Sequence, residues 1–208
     1  MTDSEKTAAT GTRDRILDAY ETLLGESGER AATLDAVAGI AGVSKGGLLY
    51  HFGSKDALID GVLDRLGDMV VLDVADIRSS TAGPIAHLIR TSTATGSALD
   101  RTLVAVSRLA QASNSRARQA LRTANDAWFD VVLDTVGDPT LARTIMLISD
   151  GLCYGSAFFP TEDPKRDTTN ASAHEPDLEA IIALLATLTA IRSPNRTEND
   201  ENRPHPKV

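Results

Sequence analysis

The most constraining stretch of this chain is residues 33–55, TLDAVAGIAGVSKGGLLYHFGSK. Thr33 is a candidate cap for a short helix whose apolar positions are Leu34, Val37, Ala38 and Ala41, spaced for one face. Gly42 permits the sharp corner that follows, where positive φ is often needed. Val43 plugs that corner, and Ser44 caps a second short helix, Lys45–Phe52. Two helices of about two turns each, joined at a glycine corner, predict a helix-turn-helix.

The rest of the chain carries the same period. Ile16, Leu17, Tyr20, Leu23 and Leu24 recur at helical spacing after Thr12, a candidate N-cap, and before Gly28, a candidate stop. Another run, Leu58 to Val70, follows Ser54, a further candidate cap. A third runs from Ala117 to Thr135 and ends at Gly137, and Pro139 suits the first turn of the next helix. The last uses Ile181, Leu184, Leu185 and Leu188 after Pro176. Nothing alternates for long with period two, and no internal repeat is visible. The expected fold is all-α, about nine helices: a flexible arm over 1–11, a three-helix domain over 12–53, and a helical bundle over 54–192. Within that bundle, 54–77 forms a connecting helix and 160–176 a loop. A disordered tail is expected over 193–208.

Gly46 and Gly47 are costly at the start of a helix, by about 1 kcal/mol each against alanine. They remove side-chain bulk where backbone N–H groups and the positive end of the helix dipole suit a phosphate or an acceptor-rich groove edge. Lys45 adds charge there, Tyr50 and His51 can donate from the far end, and Lys55 opens the following helix. SKGGLLYHFGSKDAL resembles the recognition helix and following segment of the TetR family, a pattern of Ser/Thr, three variable residues, Leu-Tyr-x-His-Phe, then Ser-Lys. Leu48, His51, Phe52, Ser54 and Lys55 match it in place, and the resemblance covers residues 12–66. Beyond them only helix count is shared. Leu49 is a departure, standing where many members carry tyrosine; Tyr50 is its substitute. Expected DNA-contacting residues are Thr33, Ser44, Lys45, Gly46, Gly47, Tyr50, His51 and Lys55.

Charge resists this reading. The chain is net −8, and residues 1–56 hold six bases against nine acids, whereas phosphate binding draws on Lys and Arg. A local positive face is still feasible because exposed charges beyond about 8–10 Å are screened. Few phosphate contacts per protomer are expected. One recognition helix reads too little sequence, so two copies on a palindromic, double-stranded operator are expected, with recognition helices about 34–36 Å apart. The resemblance implies a homodimer through the last two helices, roughly 139–159 and 176–192. Ile145, Ile148, Leu152, Ile181, Leu184, Leu185 and Leu188 agree with that, with plain intramolecular core as the alternative.

Five of the eight aromatics fall between residues 128 and 159, a density that suits an apolar ligand cavity as well as a core. Asp150 is the one charge in TIMLISDGLCYGSAFF. It either bonds neighbours such as Ser149 or faces a cavity and awaits a cation. ALRTANDAW and ISDGL resemble multidrug-sensing members of the family. The expected effector is therefore a small lipophilic molecule, a cationic aromatic in its sharpest form, held by Asn125, Trp128, Phe129, Asp150, Tyr154 and Phe158.

An enzyme is not expected. His51, His87, His174 and His205 are scattered, no nucleophile elbow, phosphate-binding loop or dinucleotide fingerprint occurs, and Cys153 in an apolar run reads as a core thiol. No cofactor or metal is expected. With a polar N-terminal segment and no apolar stretch of bilayer length, the expected setting is soluble and cytoplasmic. The reading is a ligand-responsive repressor. Its rivals are an activator or corepressor-dependent regulator and a helical small-molecule-binding protein without DNA binding.

Overall fold

Helix ends fall where the local chemistry puts them. In the computed structural model, residues 3–158 and 177–192 are described, with side chains over 11–156 and 177–192. Among the described residues nine helices succeed one another: α1 (Asp3–Ser27), α2 (Leu34–Ala41), α3 (Lys45–His51), α4 (Lys55–Ser79), α5 (Pro84–Thr91), α6 (Ala98–Gln111), α7 (Ser115–Val136), α8 (Pro139–Phe158) and α9 (Leu178–Arg192). The Ser54 hydroxyl accepts from the Ala57 amide at 3.1 Å and opens α4. Asp138 and Asp177 accept from Leu141 and Ala180 at 2.7 and 3.0 Å and open α8 and α9 in the same way. Gly28 and Gly137 end α1 and α7 with φ of 77° and 72°, the left-handed conformation that glycine adopts freely.

Helix bounds add detail to the expected plan. Residues 3–11 form the first turns of α1. Ala8 and Ala9 are good helix formers, and one glycine at 11 costs only about 1 kcal/mol. Thr12 is accordingly a helix-interior residue, not the cap. The periodicity did not delimit α5 and α6. Contacts within the chain form two compact units. One comprises residues 1–73 and 96–127, the other 74–95 and 128–208, so that α6 and the first half of α7 belong with the N-terminal helices. The loop expected over 160–176 and the tail over 193–208 lie outside the described residues.

In the first unit α1 packs on α2 and α6. Ile16, Leu17, Tyr20 and Leu24 of α1 are buried with Val37 of α2, Leu48 of α3, Leu58, Val62 and Leu66 of α4, and Val106 and Leu109 of α6. One polar network crosses this core. Arg65 of α4 reaches Asp14, Asp18 and Glu21 of α1 at 3.1, 2.6 and 3.3 Å. The Thr102 hydroxyl of α6 donates to Glu21 Oε1 at 2.9 Å. Glu21 is only 6% exposed, a burial tolerable because both its oxygens are engaged.

In the second unit α5 packs on α8 and α9, and α8 on α9. Ile77, Ile89, Val131, Val132, Ile145 and Leu185 centre the core there. Arg90 and Glu179 bind α5 to α9 through two parallel hydrogen bonds of 2.9 Å.

Two predictions arise. A Cβ at Gly61 of α4 would lie 2.7 Å from the Phe52 ring and 3.1 Å from Leu17. Gly61→Ala gains about 1 kcal/mol of helix propensity but must displace a packed ring, at roughly 1–3 kcal/mol; thermal melts are expected to fall by a few degrees. Burial raises the Glu21 carboxyl above its ordinary value of 4.5, with Arg65 and Thr102 pulling it down less strongly. Its contribution to stability is then complete below the unfolded-chain value and lost as pH rises through the raised one. Glu21→Gln should melt above the parent protein at pH 8, with the gap closing towards pH 4.

Candidate nucleic-acid interface

The corner between α2 and α3 is built from backbone and hydroxyl groups. The Thr33 side chain accepts from the Ala36 amide at 3.2 Å and starts α2. Gly42 sits at φ 65°, ψ 35°, and its amide donates to the carbonyls of Ala38 and Gly39. The Val43 amide donates to Ala38 O at 3.0 Å, completing the stop. Ser44 Oγ accepts from the Gly47 amide at 3.0 Å and starts α3. This is the helix-turn-helix that the spacing predicts.

Helix α3 is then fixed by its back. Leu48 and Phe52, four residues apart, are buried, and the Arg13 guanidinium lies over the Phe52 ring at 4.8 Å. Lys45, Gly46, Leu49 and Tyr50 occupy the opposite, exposed side. Tyr50 is 83% exposed and meets the half-buried His51 ring edge-on at 5.3 Å between centroids. The two glycines have different reasons. A Cβ at Gly47 would come within 3.3 Å of the capping Ser44 Oγ, while at Gly46 it would meet nothing nearer than that atom at 4.0 Å. Gly47 therefore makes room for the cap. Gly46 answers to no packing demand of the chain's own and leaves the backbone bare on the exposed side.

Both lysines of the expected site are already engaged. Lys45 Nζ lies 3.0 Å from Asp35 Oδ2. Lys55 Nζ lies 2.8 Å from Glu29 Oε1 and donates to the Glu29 carbonyl at 2.9 Å. The Gly47 amide, expected among the free donors at the opening of α3, is taken by Ser44. Thr33 and Ser44 likewise act as caps, though each hydroxyl retains its hydrogen for an outside acceptor. Sequence reasoning missed Asp35, Glu29 and Arg13. Asp35 could have been found: it stands in the first turn of α2 as Lys45 does in that of α3.

The expected effector residues lie on α7 and α8. Asn125 is half-buried and belongs to the first unit; Trp128 and Phe129 are half-buried against the core of the second. The Arg143 guanidinium covers the Phe129 ring at 4.4 Å. Asp150 is exposed, on one side of α8 with Arg143, Leu147 and Tyr154. Partial burial nonetheless raises its carboxyl above the usual range, against a lowering pull from Arg143. Ser149 is not its partner: it is buried and its hydroxyl meets that of Ser92 at 2.7 Å. Tyr154 is 59% exposed, and the side chain of Phe158, the last residue of α8, lies outside those described. Cys153, expected in the core, is exposed. Among the described residues no group of His, Cys, Asp and Glu is placed to hold a metal, and no helix is long and apolar enough to cross a membrane.

Known proteins give this geometry its context. Residues 16–62 match the sequence model of bacterial regulatory proteins of the tetR family. The HTH-type transcriptional repressor KstR2 of Mycobacterium tuberculosis is 34% identical over 76 residues, 36% of this chain and 38% of the relative. The chain thus matches little more than a third of that relative's length. Among solved structures, the multidrug binding protein EbrR complexed with malachite green is 21% identical, covering 83% of this chain and 96% of the other, with a TM-score of 0.58. A Saccharomonospora viridis protein solved in complex with choline is 21% identical over 84% and 96%, with a TM-score of 0.60. At such identity the likeness is one of fold, and it extends over both units. Over residues 16–62, the stretch that holds the helix-turn-helix, this chain is thus similar to the bacterial regulatory proteins of the tetR family.

Proposed function

We propose that the chain is a DNA-binding transcriptional repressor, a homodimer that reads a palindromic operator with α3 and leaves it when a small lipophilic effector binds. The observation that carries this is the division of α3 into a buried back, Leu48 and Phe52, and an exposed front, Lys45, Gly46, Leu49 and Tyr50. Exposing tyrosine and leucine beside bare backbone serves no packing purpose in the unit. It does suit a groove, where apolar groups meet thymine methyls and phenolic hydroxyls meet phosphate.

Two faces of the second unit support pairing of copies. Leu147 and Tyr154 on α8 are 63% and 59% exposed, and Leu184 and Ile191 on α9 are 58% and 64% exposed. These are the helices from which the family resemblance draws its homodimer, and apolar side chains so placed invite a second copy. Asp150 falls on the same side of α8 as Leu147 and Tyr154, so its carboxylate serves either that contact or the effector.

The effector class we favour is a lipophilic cation. Trp128 and Phe129 are half-buried aromatics, and the Phe129 ring already holds a cation of the protein's own, Arg143, the kind of contact a ligand's cation would make. Malachite green and choline, in the two solved neighbours, are cations as well. Signalling then follows α4, one continuous helix from Lys55 to Ser79. Effector binding that displaces it alters α3 and its spacing from the partner's recognition helix, and linkage requires operator DNA to weaken effector binding in return.

Two measurements test this. In fluorescence anisotropy with duplexes from upstream of the protein's own gene, a selected fragment should bind tightly, and Tyr50→Ala should weaken it by about tenfold, one good contact. Failure to retain any duplex at low salt would reject the DNA-binding reading. Titration with malachite green, followed through Trp128, the chain's one tryptophan, should quench its fluorescence and release bound operator. Asp150→Asn should weaken the dye at least fivefold; unchanged affinity removes the carboxylate from the effector site.

A further inference from the structure

The Lys45–Asp35 pair joins the opening turns of α3 and α2 at 3.0 Å, with both side chains more than half exposed. The local fold does not need it. Thr33 and Ser44 already cap the two helices, and an exposed pair of this kind adds little to stability. Lys45 is the only lysine or arginine of α3, and with Gly46 lacking a side chain it is the one cation on the helix's exposed side. Nevertheless a carboxylate stands against it on the surface that would meet DNA.

Resting on the DNA-binding reading above, we propose that Asp35 is a specificity-determining residue: it holds the Lys45 ammonium so that an acceptor-rich base edge can engage it while phosphate of arbitrary sequence cannot. A free surface ammonium reaches any phosphate and gains the counterion released, whatever the sequence. A paired one brings no net charge, and its carboxylate partner repels the backbone. At the right step in the major groove the balance differs. The O6 and N7 acceptors of guanine can take two of the three ammonium hydrogens while Asp35 keeps the third. The carboxylate thus penalises generic binding more than operator binding, a repulsive element of the kind that discrimination commonly requires.

The test uses the full chain, an operator fragment selected by the parent protein, and a scrambled duplex of equal length, with affinities measured by anisotropy across a salt series. Asp35→Asn should raise affinity for the scrambled duplex by about five- to tenfold and steepen its salt dependence by about one ion. Operator affinity should change less than twofold, so the specificity ratio falls. Asp35→Ser, a second variant of different shape, should do the same while melting like the parent. In a Lys45→Gln background, Asp35→Asn should lose most of its effect. Equal gains on both duplexes, or an undiminished gain in that background, would overturn the proposal and leave Asp35 as bulk negative charge. A parent protein that discriminates between duplexes while the variants match it on both would overturn it too, and would leave the DNA-binding reading standing.

Discussion

A helix of seven residues has no stability of its own in water, so α3 exists because Leu48 and Phe52 are buried behind it. Phe52 matters most. It follows the last residue of α3 and its amide closes the helix onto the Leu48 carbonyl. Its ring is buried under the Arg13 guanidinium and against Gly61 of α4, where there is no room for a methyl group. Three elements, α1, α3 and α4, therefore converge on one ring. The exposed front of α3 keeps a fixed orientation because its back is locked in this way, and every reading of the interface depends on that.

The acidity of the chain, which argued against a nucleic-acid partner, is largely answered by where the acids go. Asp14, Asp18 and Glu21 gather on Arg65. Glu29 is held by Lys55, and Asp56 and Asp60 by Arg116. These carboxylates are matched within the unit and present less negative charge than their number suggests. The same pairing cuts the other way for cations, since Lys45 and Lys55 are also matched. The surface is thus closer to neutral than to basic, consistent with few phosphate contacts and with a larger share of recognition falling on shape, apolar contact and hydroxyl donors.

Much of the fold was legible because caps and corners are local. Thr33, Gly42, Ser44, Ser54, Gly137 and Pro139 act through neighbours one to four residues away, so spacing alone locates them. The N-terminal extent of α1 was not legible, because its polar sequence carries no apolar period to read. Ion pairs such as Lys55–Glu29 and Arg65–Glu21 depend on through-space approach of separate helices and leave no mark on spacing. Asp150 shows a different limit. Its surroundings in the sequence are apolar, which suggests burial, but the exposed side of α8 is itself apolar at Leu147 and Tyr154. Hydropathy cannot distinguish a core from an unpartnered surface.

Within the first unit the path from α4 to α3 is short. The first turns of α4 carry Leu58, Val62 and Leu66 into the core, and Gly61 among them touches the ring that closes α3. Farther along, Arg65 fastens the same helix to α1 through three carboxylates, and Thr102 of α6 shares one of them. A close-packed interior transmits displacement rather than absorbing it. Rotation of α4 about its axis would therefore press on Phe52, while Arg65 would resist by keeping α1 in step. The glycine gives the contact its closeness and the arginine gives it a fixed reference, so the two residues act on opposite terms of one balance: how far α4 can turn, and how much of that turn α3 must follow.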